Sequence, residues 1–187
     1  MIEIRMHGRG GQGAVVACKI LASALYKEGK YAQSFPAFGV ERRGAPVMAY
    51  TRIDTEPIRL RCEIYEPDHL VILDPTLIGS IPVTAGLKPR GTILVNSDQD
   101  ADALGLEEGN FVTAVIDAAS IAVKHHLGSK AIPIVNTAIL GAFARFTGVV
   151  GIDAIVEAIR ESAPARKAEN VAATMEAYNS LREAAKR

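Results

Sequence analysis

The sequence predicts an α/β protein: a three-layer α/β/α arrangement around a Rossmann-like, mostly parallel sheet that also carries an antiparallel hairpin. Three observations support it. The chain opens on a short alternating strand, Ile2, Ile4 and Met6, that runs into the glycine cluster Gly8 to Gly13 and then into a helix. Later apolar runs, LVIL, TILV and FVTAVI, show no alternation, so they read as strands buried on both faces of a parallel sheet covered by helices. Polar or turn residues stand just past the strand ends, at His7-Gly8, Asp74, Asn96 and Asp117, which is where open parallel sheets place ligands.

Composition narrows the class. The 187 residues suit one domain, 1–187, with a sizeable core, and 49% of them are hydrophobic against 22% charged. With 21 basic and 21 acidic residues there is no global charge to attract nucleic acid or an anionic membrane, so any anion site must be local. Two cysteines, Cys18 and Cys62, are too few for a disulfide framework, a structural zinc or an iron–sulfur cluster, and both read as small buried or half-buried side chains. No charged-then-apolar leader and no membrane-length apolar run is seen, which points to the cytoplasm.

Taken in order, the first strand leads to GRGGQG, whose Gly8, Gly10 and Gly13 fit G-x-G-x-x-G. Glycine permits a positive φ and a close backbone approach, and the open amides of the helix from Ala14 to Leu25 favour an anion. Two readings stand side by side: a tight turn that packs strand against helix, and a phosphate site. The carboxylate that a nicotinamide cofactor needs about 20 positions on is missing from Lys30 to Ser34, and no G-x-x-x-x-G-K-[ST] loop is present. A second strand runs over Tyr31 to Phe35. The irregular segment FPAFGVERRGAPV, residues 35–47, combines aromatics with a Glu-Arg-Arg triplet. Phe38, Glu41, Arg42 and Arg43 are therefore candidate interface or ligand contacts, against the plain alternative of a solvated charge run.

Val47 to Ile53 and Ile58 to Cys62 alternate around Asp54 to Pro57 and predict the hairpin. Strands follow over His69 to Leu73, Gly91 to Val95 and Phe111 to Ile116, with a short helical or turn segment over 76–81. Asp74, Asn96 and Asp117 read first as turn formers or helix N-caps. Helices are expected over Ala118 to Leu127, from Ala138 after an Asn136 or Thr137 N-cap, over Ile152 to Ser162, and from Pro164 to about Ala185. His125 and His126 are adjacent, point in different directions on a helix and read as surface residues.

No G-x-S-x-G, H-E-x-x-H or cysteine–histidine metal spacing is present, so neither catalytic nor metal-ligating residues are assigned. A glycine loop and an irregular surface loop without a catalytic constellation suggest one part of a larger assembly. The first strand with GRGGQG, YAQSFPAFGVERRGAPVMAYTRID, IRLR, EPD, DPTL and PIVNTAILGAFARFTG together resemble the gamma subunit of pyruvate:ferredoxin oxidoreductase and related 2-oxoacid:ferredoxin oxidoreductases, in order and over nearly the whole chain.

That resemblance implies a complex of alpha, beta, gamma and delta subunits, the delta being ferredoxin-like. The complex oxidatively decarboxylates a 2-oxoacid to acyl-CoA and CO2 and passes electrons to ferredoxin. Thiamine diphosphate and the [4Fe-4S] clusters would lie in the partner subunits, and coenzyme A at an interface of this chain. Gly8, Gly10, Gly11, Gln12 and Gly13, with Arg9 assisting, would meet its phosphates, and Arg42 and Arg43 would pair with phosphate or with a partner's carboxylate. Pyruvate or a branched-chain 2-oxoacid fits the FGVERRGAPV loop better than an aryl one. The rival readings are a stand-alone nucleotide-binding module and a structural spacer.

Overall fold

The computed structural model describes residues 1–37, 44–106, 109–181 and 185–186. Twelve strands and α-helices follow one another among the described residues: β1 (Ile2–Arg9), α1 (Ala14–Lys27), β2 (Tyr31–Pro36), β3 (Pro46–Asp54), β4 (His69–Ile72), β5 (Thr92–Asn96), β6 (Val112–Ile116), α2 (Ala118–Lys124), α3 (Ala138–Thr147), α4 (Ile152–Ser162), α5 (Lys167–Ser180) and the two-residue β7 (Ala185–Lys186). They form one sheet in the order β2-β3-β1-β4-β5-β6-β7. β1, β4, β5 and β6 run parallel. β3 lies antiparallel between β1 and β2, and β7 closes the far edge antiparallel to β6.

The α/β class, the parallel centre and an antiparallel pair all stand, but the pair has different members from those expected. β3 is flanked on one side by β1, with Ile2 opposite Ile53 and Arg9 opposite Pro46, and on the other by β2, with Tyr31 opposite Asp54. Both its edges are therefore taken, and Ile58 to Cys62, which alternate as a strand would, find no ladder to join. They run as irregular chain with Leu60 and Cys62 exposed, so Cys62 is neither buried nor half-buried.

The two faces of the sheet are covered differently. All five α-helices contribute to one core with Ile4, Met6, Ile53, Val71 and Leu94 of the strands. The opposite face, with Leu70, Ile72, Ile93 and Val95, is covered by Leu77, Val83 and Leu87 from irregular chain that includes the 3-10 turn Pro75–Leu77, with Leu104 of a second such turn, Ala101–Leu104, packed against them. Arg5 fastens this layer to the sheet: its Nη2 donates to the carbonyls of Val83 at 3.0 Å and Ala85 at 2.6 Å. On the same face the buried Arg52 donates from Nε to Glu3 at 2.8 Å and from Nη2 to the Glu63 carbonyl at 3.2 Å. Buried guanidinium groups thus replace the apolar contacts that a helix would have made there.

Helix ends differ from the sequence reading in local ways. α2 stops at Lys124, because His125 leaves helical geometry and His126 turns left-handed with φ 58°. α5 begins at Lys167, three residues after Pro164, behind a left-handed Arg166 with φ 49°, and ends at Ser180. α3 is buried from Ala138 to Ala144, apolar all round as a central helix must be. Gly141 lets it touch α5, since a Cβ there would strike the Thr174 carbonyl oxygen.

Candidate functional site

β1 carries GRGGQG to the C-terminal edge of the parallel strands, where the chain must turn sharply into α1. Gly11 and Gly13 make the turn with φ of 101° and 84°, conformations that a residue with a Cβ rarely adopts. The loop is braced on three sides. The Gly10 amide donates to the Ala45 carbonyl at 2.9 Å, and the Gly44 amide to the Gly10 carbonyl at 3.0 Å, so the β1–β3 pairing continues into the loop. The Gln12 amide closes a turn onto the Arg9 carbonyl at 3.0 Å, and its side-chain Oε1 accepts from the Arg9 amide at 2.8 Å. Gly8 lies under this arch, with Leu73 Cδ1 and Gln12 Oε1 just beyond the space a Cβ would take.

The third brace is Asp74, just past β4. Its Oδ1 accepts from the Thr76 amide and hydroxyl, at 3.0 and 2.6 Å, which caps the 3-10 turn. Its Oδ2 accepts from Gln12 Nε2 at 2.9 Å and stands 3.2 Å from Arg9 Nε. Burial opposes ionisation of this carboxyl, but the Thr76 and Gln12 hydrogen bonds and the Arg9 charge outweigh it together and hold its pKa below the ordinary value. Arg9 also donates to Thr76 Oγ1 at 2.8 Å from Nη2 and to the Gly44 carbonyl at 3.1 Å from Nη1. Arg9 is thus first a strut of the loop, with N–H groups left over from the five that a guanidinium carries.

The mouth of α1 remains open. Gly13 caps the helix without any side-chain hydrogen bond, no acidic residue stands in the first turn, and the Gly11 and Gly13 amides have no acceptor among the described residues. Nothing lies within 4 Å of the Cβ position at Gly11. Asn136 leans over Gly13, its Nδ2 2.5 Å from where a Cβ would be. Its Oδ1 is buried without a partner, a situation that costs about 1–3 kcal/mol.

Asn136 was legible in the sequence only as a possible cap, and Asp74 as a cap or turn former at a strand end; Asp74 does cap the 3-10 turn, and packing gives both residues a second role. Thr137 does hold the N-cap position of α3, but its hydroxyl bonds to Asn170 Oδ1 at 2.7 Å instead of to the helix. Asp117 does cap α2, accepting from the Ser120 amide at 2.8 Å. Asn96 caps nothing directly after it but ends β5 and ties its neighbours together, donating from Nδ2 to the Leu73 carbonyl at 2.9 Å and accepting at Oδ1 from the Ala119 amide at 3.1 Å. Beyond Pro75, the ends of β5 and β6 open into a cleft of about 650 Å³ lined by Asn96, Ser97, Asp98, Asp117, Lys124 and Lys130 among others. Phe38, Glu41, Arg42 and Arg43 lie outside the described residues.

Among the described residues no group of three His, Cys, Asp or Glu could hold a metal. Cys18 is buried, its thiol pushed up to about 12 chiefly by loss of solvation, so it is inert. His125 pairs with Glu176 at 2.8 Å on the far side of α2, and no helix among the described residues is long and apolar enough to cross a membrane.

Comparison with known proteins gives a consistent answer. A family profile described as pyruvate ferredoxin/flavodoxin oxidoreductase matches residues 3–180. The chain is 53% identical over 182 residues to the common subunit gamma of the pyruvate/ketoisovalerate oxidoreductases of Thermococcus kodakarensis, covering 96% of each. It is 50% identical to pyruvate synthase subunit PorC of Methanocaldococcus jannaschii, covering 97% of each. Among solved structures it resembles the pyruvate oxidoreductase subunit PORC of Thermotoga maritima, with TM-score 0.82, 34% identity and 97% of each chain covered. It shares its fold, with TM-score 0.68 and 20% identity, with 30% of the chain of a 2-oxoglutarate:ferredoxin oxidoreductase from Magnetococcus marinus solved with 2-oxoglutarate, coenzyme A and succinyl-CoA bound; 95% of the present chain is covered.

Proposed function

The chain belongs to the pyruvate ferredoxin/flavodoxin oxidoreductase family as a gamma subunit, and on that premise we propose that its glycine loop is one wall of a coenzyme A site completed by the other subunits. The complex converts a 2-oxoacid, pyruvate or a branched-chain acid by the names of its relatives, and coenzyme A to acyl-CoA and CO2, with two electrons passing to ferredoxin. Thiamine diphosphate and the iron–sulfur clusters belong to the alpha, beta and delta partners. One cluster takes four thiolates, whereas this chain has two cysteines, one of them buried and the other exposed.

The observation that carries the reading is the pair of open amides at Gly11 and Gly13, on a loop whose other groups are engaged and at the positive end of α1. A pyrophosphate set there meets backbone donors that cost nothing to organise. Arg9, fixed by Asp74 and Thr76, adds a positive charge at the rim. The cleft past Pro75, with Lys130 at its edge, gives the nucleotide end somewhere to lie. That coenzyme A is bound in the structurally similar 2-oxoglutarate enzyme supports the choice of ligand.

Calorimetric titration of coenzyme A into the assembled complex tests the reading. Gly11→Val puts a branched side chain on a backbone with φ of 101°, which it rarely adopts, so it displaces the loop amides, and its expected effect is a loss of affinity of about tenfold or more. Unchanged affinity in that variant would sink the coenzyme A assignment.

A further inference from the structure

Five side-chain atoms among the described residues are buried without a hydrogen-bond partner, and one of them, Oδ1, belongs to Asn136, whose Nδ2 sits against Gly13 of the glycine loop. Asn136 is 7% exposed, and its side-chain amide makes no hydrogen bond among the described residues. Its place is nevertheless tightly set. The next residue, Thr137, is held at both ends, its hydroxyl by Asn170 at 2.7 Å and its carbonyl by the Thr174 hydroxyl at 3.0 Å, so α5 fixes the backbone from which Asn136 projects. The amide it projects lies over Gly13, with Nδ2 in the space that any side chain at position 13 would fill. Gly13 is therefore required twice, for its φ of 84° and for the room that Asn136 occupies.

A buried amide without partners, clamped from behind and laid across an uncapped helix N-terminus, is a poor structural element and a good ligand contact. It does not cap α1, which has no side-chain cap, and it does not cap α3. With Nδ2 already over Gly13, the carboxamide turns N–H donors toward the loop, whereas a carboxylate in the same volume can only repel an anion. Resting on the coenzyme A reading above, we propose that Asn136 is a phosphate-binding residue of this subunit, donating its Nδ2–H to the same phosphate that the Gly11 and Gly13 amides receive. The glycine loop and the α3 entrance then form a two-sided clamp, with α1 supplying the dipole and Asn136 the lid over it.

The test is calorimetry on the assembled complex with two ligands, coenzyme A and pantetheine, which lacks the phosphates. The variants are Asn136→Asp, Asn136→Ala and the loop control Gly11→Val. The proposal expects Asn136→Asp to weaken coenzyme A about tenfold or more and Asn136→Ala somewhat less, while pantetheine affinity moves less than about twofold in both. If Gly11→Val weakens coenzyme A and Asn136→Asp does not, this assignment is overturned and the loop reading survives. If neither variant changes the affinity, both fall together. Equal losses for coenzyme A and pantetheine would show that Asn136 serves only packing, and would also overturn the assignment.

Discussion

Residue 74 is an aspartate with four donors around it: the Thr76 amide and hydroxyl on one oxygen, Gln12 and Arg9 on the other. Because its folded pKa is depressed, its contribution to stability is present above the ordinary carboxylate pKa and is lost as pH falls through the lower folded value. His7, at the end of β1, adds to the same acid weakness. Burial first, then the neighbouring Arg5 charge, lowers its pKa to about 3. Between the ordinary histidine value of about 6.5 and that lower one, the unfolded chain binds a proton that the folded chain refuses. Stability therefore falls as pH drops through this window, by at most about 1.4 kcal/mol per pH unit for this one group. His7→Gln keeps an acceptor for Arg5 Nε, which donates to His7 Nε2 at 3.0 Å, and removes the titration. Denaturant midpoints from pH 4 to 7 are expected to show a shallower slope in this variant; an unchanged slope would mean that His7 does not carry the effect.

At the scale of elements, the strands and helices that pack by simple periodicity were legible: β1, α1, the three parallel strands after it and α4 all lie where apolar spacing placed them. The hairpin was not, because alternation at Ile58 to Cys62 reports that a segment could pair, not whether a strand edge is free to receive it. β3 had spent both edges on β1 and β2. The second face of the sheet was misread for a related reason. Continuous apolar strands require cover but do not specify helices, and here irregular chain pinned by Arg5 and Arg52 supplies it. The α3–α5 contact offers a clean check on packing. Gly141→Ala would push a methyl group into the Thr174 backbone, and a loss of about 3 kcal/mol is expected from overpacking at a site where backbone, not a flexible side chain, must yield. Chemical denaturation measures it, and a loss under about 0.5 kcal/mol would show that the two helices separate easily.

For the whole molecule, the sequence marked where the glycine loop lies but not how it is built. GRGGQG left a tight packing turn and an anion site side by side, and the missing ribose carboxylate argued against a nicotinamide cofactor. What braces the loop, Asp74 and Gly44, and what leans over it, Asn136, arrive from β4, β3 and α3 and meet only in three dimensions. On the proposed function, the open amides at this edge hold the phosphates of coenzyme A while the partner subunits supply the chemistry. Hydrogen exchange followed by mass spectrometry on the assembled complex, with and without coenzyme A, tests that claim most directly. The account expects added ligand to slow exchange at the amides of residues 11 to 16, where the loop enters α1, with little change in the buried helix α3. Unaltered exchange over residues 11 to 16 at saturating coenzyme A would contradict it.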